Sequence, residues 1–302
     1  MKPIGRFAPT PSGRMHMGNL FAALLAWLSV RSQDGILILR MEDLDTQRTS
    51  STYADILRRD LEWLGLTWDK ETQPQSQRTA HYEAALEQLK EKDLLYPCYC
   101  SRNRLHSVNA PHLGESTFVY DGQCRNLTGA QRQEMTRPPA WRLMVPNREV
   151  SFVDRLQGLY RENLARDCGD FVLRRSDGMY VYQLAVVVDD AAAGVTEVVR
   201  GRDLLSSTPR QMYLQELLGY PTAQYCHIPL LLSGDGRRLS KRDRDMDLSL
   251  LAETMSPETI VGRLAFWAGL QETDQETDLE TLRASFTWSQ VRKEDITVTT
   301  TP

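Results

Sequence analysis

The sequence predicts an α/β protein built on a doubly wound parallel sheet, and three stretches carry that expectation. Ile4 to Ala8 is a short apolar strand that Pro9, Pro11 and Gly13 break into a loop. From about Gly18 to Ser32 runs a helix that is apolar almost all round: Leu20, Phe21, Ala22, Ala23, Leu24, Leu25, Ala26, Trp27 and Leu28. Such a helix is buried rather than half-exposed. Gly35 to Arg40, with Ile36, Leu37, Ile38 and Leu39, is the unbroken apolar run of a strand covered on both faces. Strand and helix in alternation mark one half of such a fold.

The remaining elements follow in order. A helix from about Ser51 to Leu64 places Tyr53, Ile56, Leu57, Leu61 and Leu64 on one face. Another runs from about Arg78 to Asp93. Residues from about 96 to 169 are rich in turns and poor in helical pattern, so they read as an insertion. Phe171 to Arg174 and Val181 to Asp189 resume strand or strand-like apolar runs. Arg210 to Leu218 is a helix closed by Gly219. Ser256-Pro257-Glu258 is a helix start, serine as cap and proline in the first position, with Ile260, Val261, Leu264, Ala265 and Trp267 as its apolar face. The expected organisation is 1–95 and 170–225 as the two halves of the catalytic sheet, 96–169 as the insertion, and 226–302 as a basic loop with a helical section ending in a frayed tail.

Composition narrows the function. The chain has 302 residues, a net charge of −4, no run of 18 apolar residues and no signal peptide. A cytoplasmic protein away from membranes is expected, as a monomer. It is not a general polyanion binder, so any contact with RNA must come from local patches. Arg102, Arg104, Arg125, Arg132 and Arg137 are candidates, and a merely solvated surface explains them equally well. Five cysteines in an unsecreted chain argue against a disulfide framework. Cys168 and Cys226 read as packed thiols. Cys98, Cys100 and Cys124 cluster, and three thiolates supply three corners of a tetrahedral metal site. Tyr120, His106 and His112 are the nearby candidates for the fourth, and generic zinc chemistry favours histidine. The alternative is three reduced structural cysteines.

Two motifs carry the chemistry. In Phe7-Ala8-Pro9-Thr10-Pro11-Ser12-Gly13-Arg14-Met15-His16-Met17-Gly18-Asn19, a strand, a turn and a buried helix leave backbone N–H groups free to hold an anion. His16 adds a donor, and Gly18 leaves room for a phosphate or an adenine ring. Far downstream, Ser233-Gly234-Asp235-Gly236 is a turn followed by Arg237, Arg238, Lys241, Arg242 and Arg244. A basic run is usually a solvated face. Paired with the first motif, it suits a transition state in which charge builds on pyrophosphate oxygens.

The first motif resembles the His-Ile-Gly-His signature of class I aminoacyl-tRNA synthetases, and Arg238-Leu239-Ser240-Lys241-Arg242 resembles their Lys-Met-Ser-Lys-Ser loop. The glutamyl branch is the nearer match, through Arg6-Phe7-Ala8-Pro9-Thr10-Pro11-Ser12-Gly13, Leu39-Arg40-Met41-Glu42-Asp43-Leu44-Asp45, Tyr182 to Asp190 and Val199-Arg200-Gly201-Arg202-Asp203-Leu204-Leu205. Met17 and Asn19, Arg238 and Arg242 depart from the pattern; His16, Gly18, Ser240 and Lys241 keep it. The resemblance implies a class I synthetase-type Rossmann fold with a zinc-binding insertion and a helical C-terminal section. Length then points to the truncated branch that lacks an anticodon-binding domain, the glutamyl-queuosine tRNA(Asp) synthetases. That branch implies activation of L-glutamate by ATP with Mg2+ without bound tRNA, then transfer to queuosine in tRNA(Asp). The resemblance also selects Tyr120 as the fourth ligand of one structural zinc, ahead of His112, because Tyr120-Asp121-Gly122-Gln123-Cys124-Arg125 matches its Tyr-x-x-x-Cys element.

Site residues follow. His16, Gly18 and Lys241 are expected to be catalytic, and Pro9, Thr10, His16, Gly18, Asn19, Ser240 and Lys241 to bind ATP. Glutamate must be met at two carboxylates and one ammonium. Arg6 ends the first strand, where open α/β sheets bind ligands, and its fork suits a carboxylate. Glu42, at the same edge, suits the ammonium. The resemblance adds Tyr182 and Arg200, and Phe7, Ala8, Pro9 and Thr10 complete the set. The competing reading pairs Arg6 with Glu42. Asp45 reads as a cap for the next helix. A non-tRNA adenylate-forming ligase, a minimal synthetase charging a tRNA 3′ end and a catalytically silent RNA-binding paralogue are the alternatives in function.

Overall fold

A computed structural model describes residues 2–101, 104, 119–239 and 247–298. Five parallel strands form the central sheet: β1 Ile4–Phe7, β2 Ile36–Leu39, β3 Lys70–Glu71, and later β9 Glu197–Gly201 and β10 Gln224–Ile228. Their spatial order is β10-β9-β1-β2-β3. The chain lays down β1, β2 and β3 in one direction, then returns to the other side of β1. The turning point lies between β1 and β9, where sheets of this kind open a ligand crevice.

Helix α1, Met17–Arg31, lies on the sheet with eleven of its residues buried. Its close seat on β1 depends on Gly5, where a Cβ would stand 2.4 Å from Val30 Cγ2. Helix α2, Ser51–Trp63, covers the same core through Ala54, Leu57 and Leu61. Its cap is Ser50, whose hydroxyl accepts from the Thr52 amide at 3.1 Å, so Asp45 does not have that job. Tyr53, expected on the buried face, is 39% exposed: it falls just outside the arc that Leu57 and Leu61 define.

Helix α3, Thr79–Glu91, leads into β4, Leu95–Cys98. Strand β4 is the edge of an antiparallel sheet with β5, Ala140–Leu143, and β8, Phe171–Arg174, in the order β4-β5-β8. Pro97 sits in this edge strand, where a missing N–H is tolerated. Between β5 and β8 stands a hairpin of β6, Glu149–Asp154, and β7, Gly158–Asn163.

The apolar run from Val181 is a helix, not a strand: α4 spans Tyr182–Ala192. A short apolar run has no period that separates buried strand from buried helix. Leu184 to Val188 are buried against α3 and α5, Thr208–Leu218, so apolar residues suit every face. Helix α5 ends at Gly219 with φ 72°. Helix α6, Pro257–Ala268, starts as its sequence predicts, with Ser256 Oγ accepting from the Thr259 amide at 3.1 Å. Ile260, Val261, Leu264 and Ala265 pack into the main core, and Trp267 lies half-buried beside it. A helix at Leu279–Ser285 and the parallel pair β11, Leu231–Leu232, and β12, Ile296–Thr297, close this section. Among the described residues, no helix is long and apolar enough to cross a membrane.

Candidate active site

A cavity of about 610 Å³ opens at the turning point between β1 and β9. Its walls include Arg6, Phe7, Ala8, Pro9, Thr10, Glu42, Tyr182 and Arg200, which is the whole expected glutamate set, and His16 and Asn19 from the expected ATP set. Gly18 lines an adjoining recess of about 70 Å³, together with His16, Ile228 to Leu231 and Leu239. Ser240, Lys241, Arg242 and Arg244 lie outside the described residues. The chain on either side of them is anchored at the cavity. The Leu239 amide donates to Leu231 O at 3.0 Å, and the Leu248 amide donates to Met15 O at 3.1 Å. Arg238, in the cavity wall, is paired with Asp203.

His16 is the N-cap of α1. Its Nδ1 accepts from the Gly18 amide at 3.1 Å, and its own amide donates to Asn19 Oδ1 at 3.2 Å. The bond to Nδ1 leaves the proton of a neutral ring on Nε2, as a donor. A Cβ at position 18 would lie 3.0 Å from His16 Cε1 and Nδ1, so Gly18 makes room for the histidine ring itself. Asn19 completes a reciprocal cap. The imidazole is therefore fixed at the positive end of a helix, where anions bind.

The acidic and basic groups are wired in a way that pairwise reading of the sequence does not reveal. Arg6 and Glu42 are not each other's partners. Arg6 Nε donates to Asp190 Oδ2 at 3.5 Å, and its Nη1 to Val199 O at 3.1 Å. Glu42 accepts from Arg40 Nη2 at 3.1 Å, and Arg40 Nη1 reaches Asp190 Oδ1 at 2.5 Å. One carboxylate, Asp190 on α4, thus stands between two buried guanidinium groups. Burial alone would push its pKa up, but Arg40 and Arg6 outweigh that and hold it below the ordinary carboxylate range. Glu42 goes the other way: burial lifts its carboxyl above the usual value despite Arg40. The neighbouring Asp189 is occupied elsewhere, by Gln75, Arg78 and Tyr82. Asp43 takes the Ser76 amide and hydroxyl at 2.9 and 2.6 Å, a structural role.

Arg200 is 6% exposed and uses only neutral acceptors. Nε donates to His227 Nε2 at 3.0 Å; Nη1 donates to Gln211 Oε1 at 2.8 Å and Tyr182 Oη at 3.3 Å; Nη2 donates to Thr208 Oγ1 at 2.9 Å and Leu204 O at 3.4 Å. Among the described residues no carboxylate lies within 4.0 Å of it. A buried cation at a cavity wall, oriented by dipoles but not neutralised, suits an anionic ligand.

The cysteines converge as expected. The sulfurs of Cys98, Cys100 and Cys124 all lie within 4.8 Å of one another. Tyr120 Oη stands 3.5 Å from Cys98 Sγ and 3.4 Å from Cys100 Sγ. Tetrahedral zinc with Zn–S near 2.3 Å holds its sulfurs about 3.8 Å apart, so the donor set fits a zinc ion. Arg142 Nε and Arg104 Nη1 donate to Cys98 and Cys100 at 3.2 and 3.1 Å. Burial opposes ionisation at both: at Cys98 the Tyr120 hydroxyl, the Cys100 amide and Arg142 outweigh it and hold the thiol below its ordinary value, whereas at Cys100 burial wins and pushes the thiol up to about 11. His106 and His112 lie outside the described residues. Cys168 and Cys226 are buried thiols in apolar clusters. Of the candidate RNA-facing arginines, Arg104 pairs with Asp121 and Arg125 with Asp170; Arg132 is half-buried and Arg137 exposed, and Arg102 is not described.

The chain is similar to known proteins. A family described as "tRNA synthetases class I (E and Q), catalytic domain" matches residues 4–293. A glutamyl-Q tRNA(Asp) synthetase of Neisseria meningitidis serogroup C is 49% identical over 79% of this chain and 80% of its own. One from Symbiobacterium thermophilum is 43% identical over 97% of this chain and 95% of its own. Among solved structures, a glutamate tRNA ligase of Elizabethkingia meningosepticum in complex with its amino acid superposes with a TM-score of 0.83 at 25% identity, covering 98% of this chain and 67% of that one. The chain therefore belongs to the class I tRNA synthetases for glutamate and glutamine, and within them to the glutamyl-Q tRNA(Asp) synthetases, a family of aminoacyl-transfer ligases.

Proposed function

We propose that this protein activates L-glutamate with MgATP, without tRNA bound, and transfers the glutamyl group to queuosine in the anticodon of tRNA(Asp). The observation that carries the first half is the convergence of Arg6, Glu42, Tyr182 and Arg200 on the cavity that His16 also lines. The amino acid's ammonium faces Glu42, which a cation would help to ionise. Arg200, with Tyr182 beside it, takes the side-chain carboxylate, and the α-carboxylate is left to face the α-phosphate above the α1 N-terminus. A carboxylate oxygen attacks that phosphorus. The bond to the bridging oxygen breaks, pyrophosphate leaves, and glutamyl-adenylate remains. His16 Nε2–H and Lys241 donate to the phosphate oxygens as charge develops. A hydroxyl of queuosine then attacks the acyl carbon and AMP departs. Docking that hydroxyl supplies most of what the second step requires.

The acceptor rests on the names of the relatives. The insertion and the helical C-terminal section are the surfaces proposed to hold the RNA stem-loop. One structural zinc on Cys98, Cys100, Cys124 and Tyr120 would stiffen the insertion, with four ligands leaving no position open for water.

ATP–pyrophosphate exchange without tRNA tests the first step. Glutamate supports exchange. Glutamine does not, because a neutral amide leaves the Arg200 charge uncompensated, at a cost of about 1–3 kcal/mol or more. Equal exchange with both amino acids would sink the assignment.

A further inference from the structure

We infer that Asp154 and His227 form a positioning pair that presents Arg200 to the substrate, so that the β6–β7 hairpin of the insertion controls glutamate recognition. The inference rests on the glutamate reading of the cavity and adds residues that do not line it.

The wiring is continuous. Asp154 ends β6, and His227 lies on β10; both side chains are fully buried. Asp154 Oδ1 accepts from the Leu156 and Gln157 amides at 3.0 and 2.9 Å, which fixes the carboxylate at the turn of the hairpin. Its Oδ2 stands 2.6 Å from His227 Nδ1, and the His227 amide donates to both oxygens at 3.1 Å. A carboxylate accepts only, so Nδ1 carries the proton. Nε2 is then the lone-pair nitrogen, and it accepts from Arg200 Nε. Burial keeps the imidazole neutral by lowering its pKa, and a neutral ring is what the bond to Arg200 requires. The other four Arg200 protons go to groups that any rotation about Nε would disturb. The Asp154 carboxylate therefore dictates the tautomer, the tautomer supplies an acceptor, and the acceptor sets the plane of the guanidinium.

Three substitutions separate this role from packing. His227→Gln keeps an acceptor within reach of the Nε2 position. His227→Asn fills the Nδ1 position and loses the acceptor. Asp154→Asn places an amide opposite Nδ1 and drives the proton to Nε2, where it confronts Arg200. The expected result is a rise in KM for glutamate of about tenfold or more for His227→Asn and Asp154→Asn, with kcat and ATP affinity much less affected. Discrimination against glutamine should fall in parallel. His227→Gln should restore glutamate KM to within about threefold of the parent protein. ATP affinity reports on folding in each case. If the parent shows glutamate-dependent exchange and the two disruptive variants bind ATP yet keep its glutamate KM, the pair is structural and the inference fails. If His227→Gln is as impaired as His227→Asn, ring packing and not the acceptor is responsible, and it fails again. No glutamate-dependent exchange by the parent would instead overturn the function it rests on.

Discussion

Asp190 is the keystone of the charged network beneath the cavity, and Asp190→Asn tests that. The substitution keeps the shape of the side chain and removes one negative charge from between Arg40 and Arg6, which are 1% and 4% exposed. Arg40 keeps Glu42 at 3.1 Å, whereas Arg6 keeps only a backbone carbonyl. Breaking one partner of a buried ion cluster costs about 3–5 kcal/mol. For a chain of this size each kcal/mol moves the melting temperature by about 2–4 °C, so a loss of about 10 °C is expected. Differential scanning fluorimetry against the parent protein measures it. The sign with pH is a second check. The folded pKa of Asp190 is held low, so its contribution is present above the unfolded value of about 3.9 and is lost only as pH falls through the folded value. The gap between parent and variant should stay constant from about pH 5 to 7 and close below about pH 4. A melting temperature within about 2 °C of the parent at neutral pH would refute the idea that this carboxylate neutralises both cations.

Other consequences are as direct. Lys241→Ala should lower kcat for adenylate formation by about 100-fold with little change in glutamate affinity, because its charge acts on pyrophosphate as it leaves; loss of glutamate binding with turnover intact would give the loop another job. Glutamate affinity should weaken on the acid side at a higher pH than an ordinary glutamate would dictate, because Glu42 is lifted by burial and must ionise to meet the ammonium; Glu42→Gln should bind more weakly and flatten that limb, and a flat profile in the parent would dismiss the role. Purified protein should contain one zinc per chain, and Cys100→Ser should impair transfer to RNA more than pyrophosphate exchange; elemental analysis without zinc would remove the metal.

Where the sequence repeats a pattern, it was readable. The strand-helix alternation through Leu64 appears within a residue or two of its expected bounds, because apolar runs bounded by proline, glycine and serine caps are local signals. The cavity wall was readable for a related reason: Arg6 to Thr10 and Glu42 lie at or just beyond the C-terminal ends of adjacent parallel strands. Helix α4 was not, since nine consecutive residues from Val181 suit a covered strand as well as a covered helix. The partners of the site residues were also out of reach. Arg40 and Asp190 are 150 residues apart, and Asp154 and His227 are 73 apart. Lone charges paired across that distance leave no period or spacing. Their only trace was a run such as Leu39-Arg40-Met41-Glu42, in which a charge sits at the end of a buried strand and must find a partner.

The proposed function sends the glutamyl group to an anticodon base and not to a terminal ribose. The most direct measurement incubates the pure protein with ATP, labelled glutamate and bulk tRNA whose 3′ ends have been trimmed by nuclease. Label is expected on tRNA(Asp), retained after trimming, absent from tRNA made without queuosine, and falling steeply with salt as phosphate contacts are screened. Label that appears only on untrimmed tRNA(Glu) would contradict it and make the protein a minimal glutamyl-tRNA synthetase.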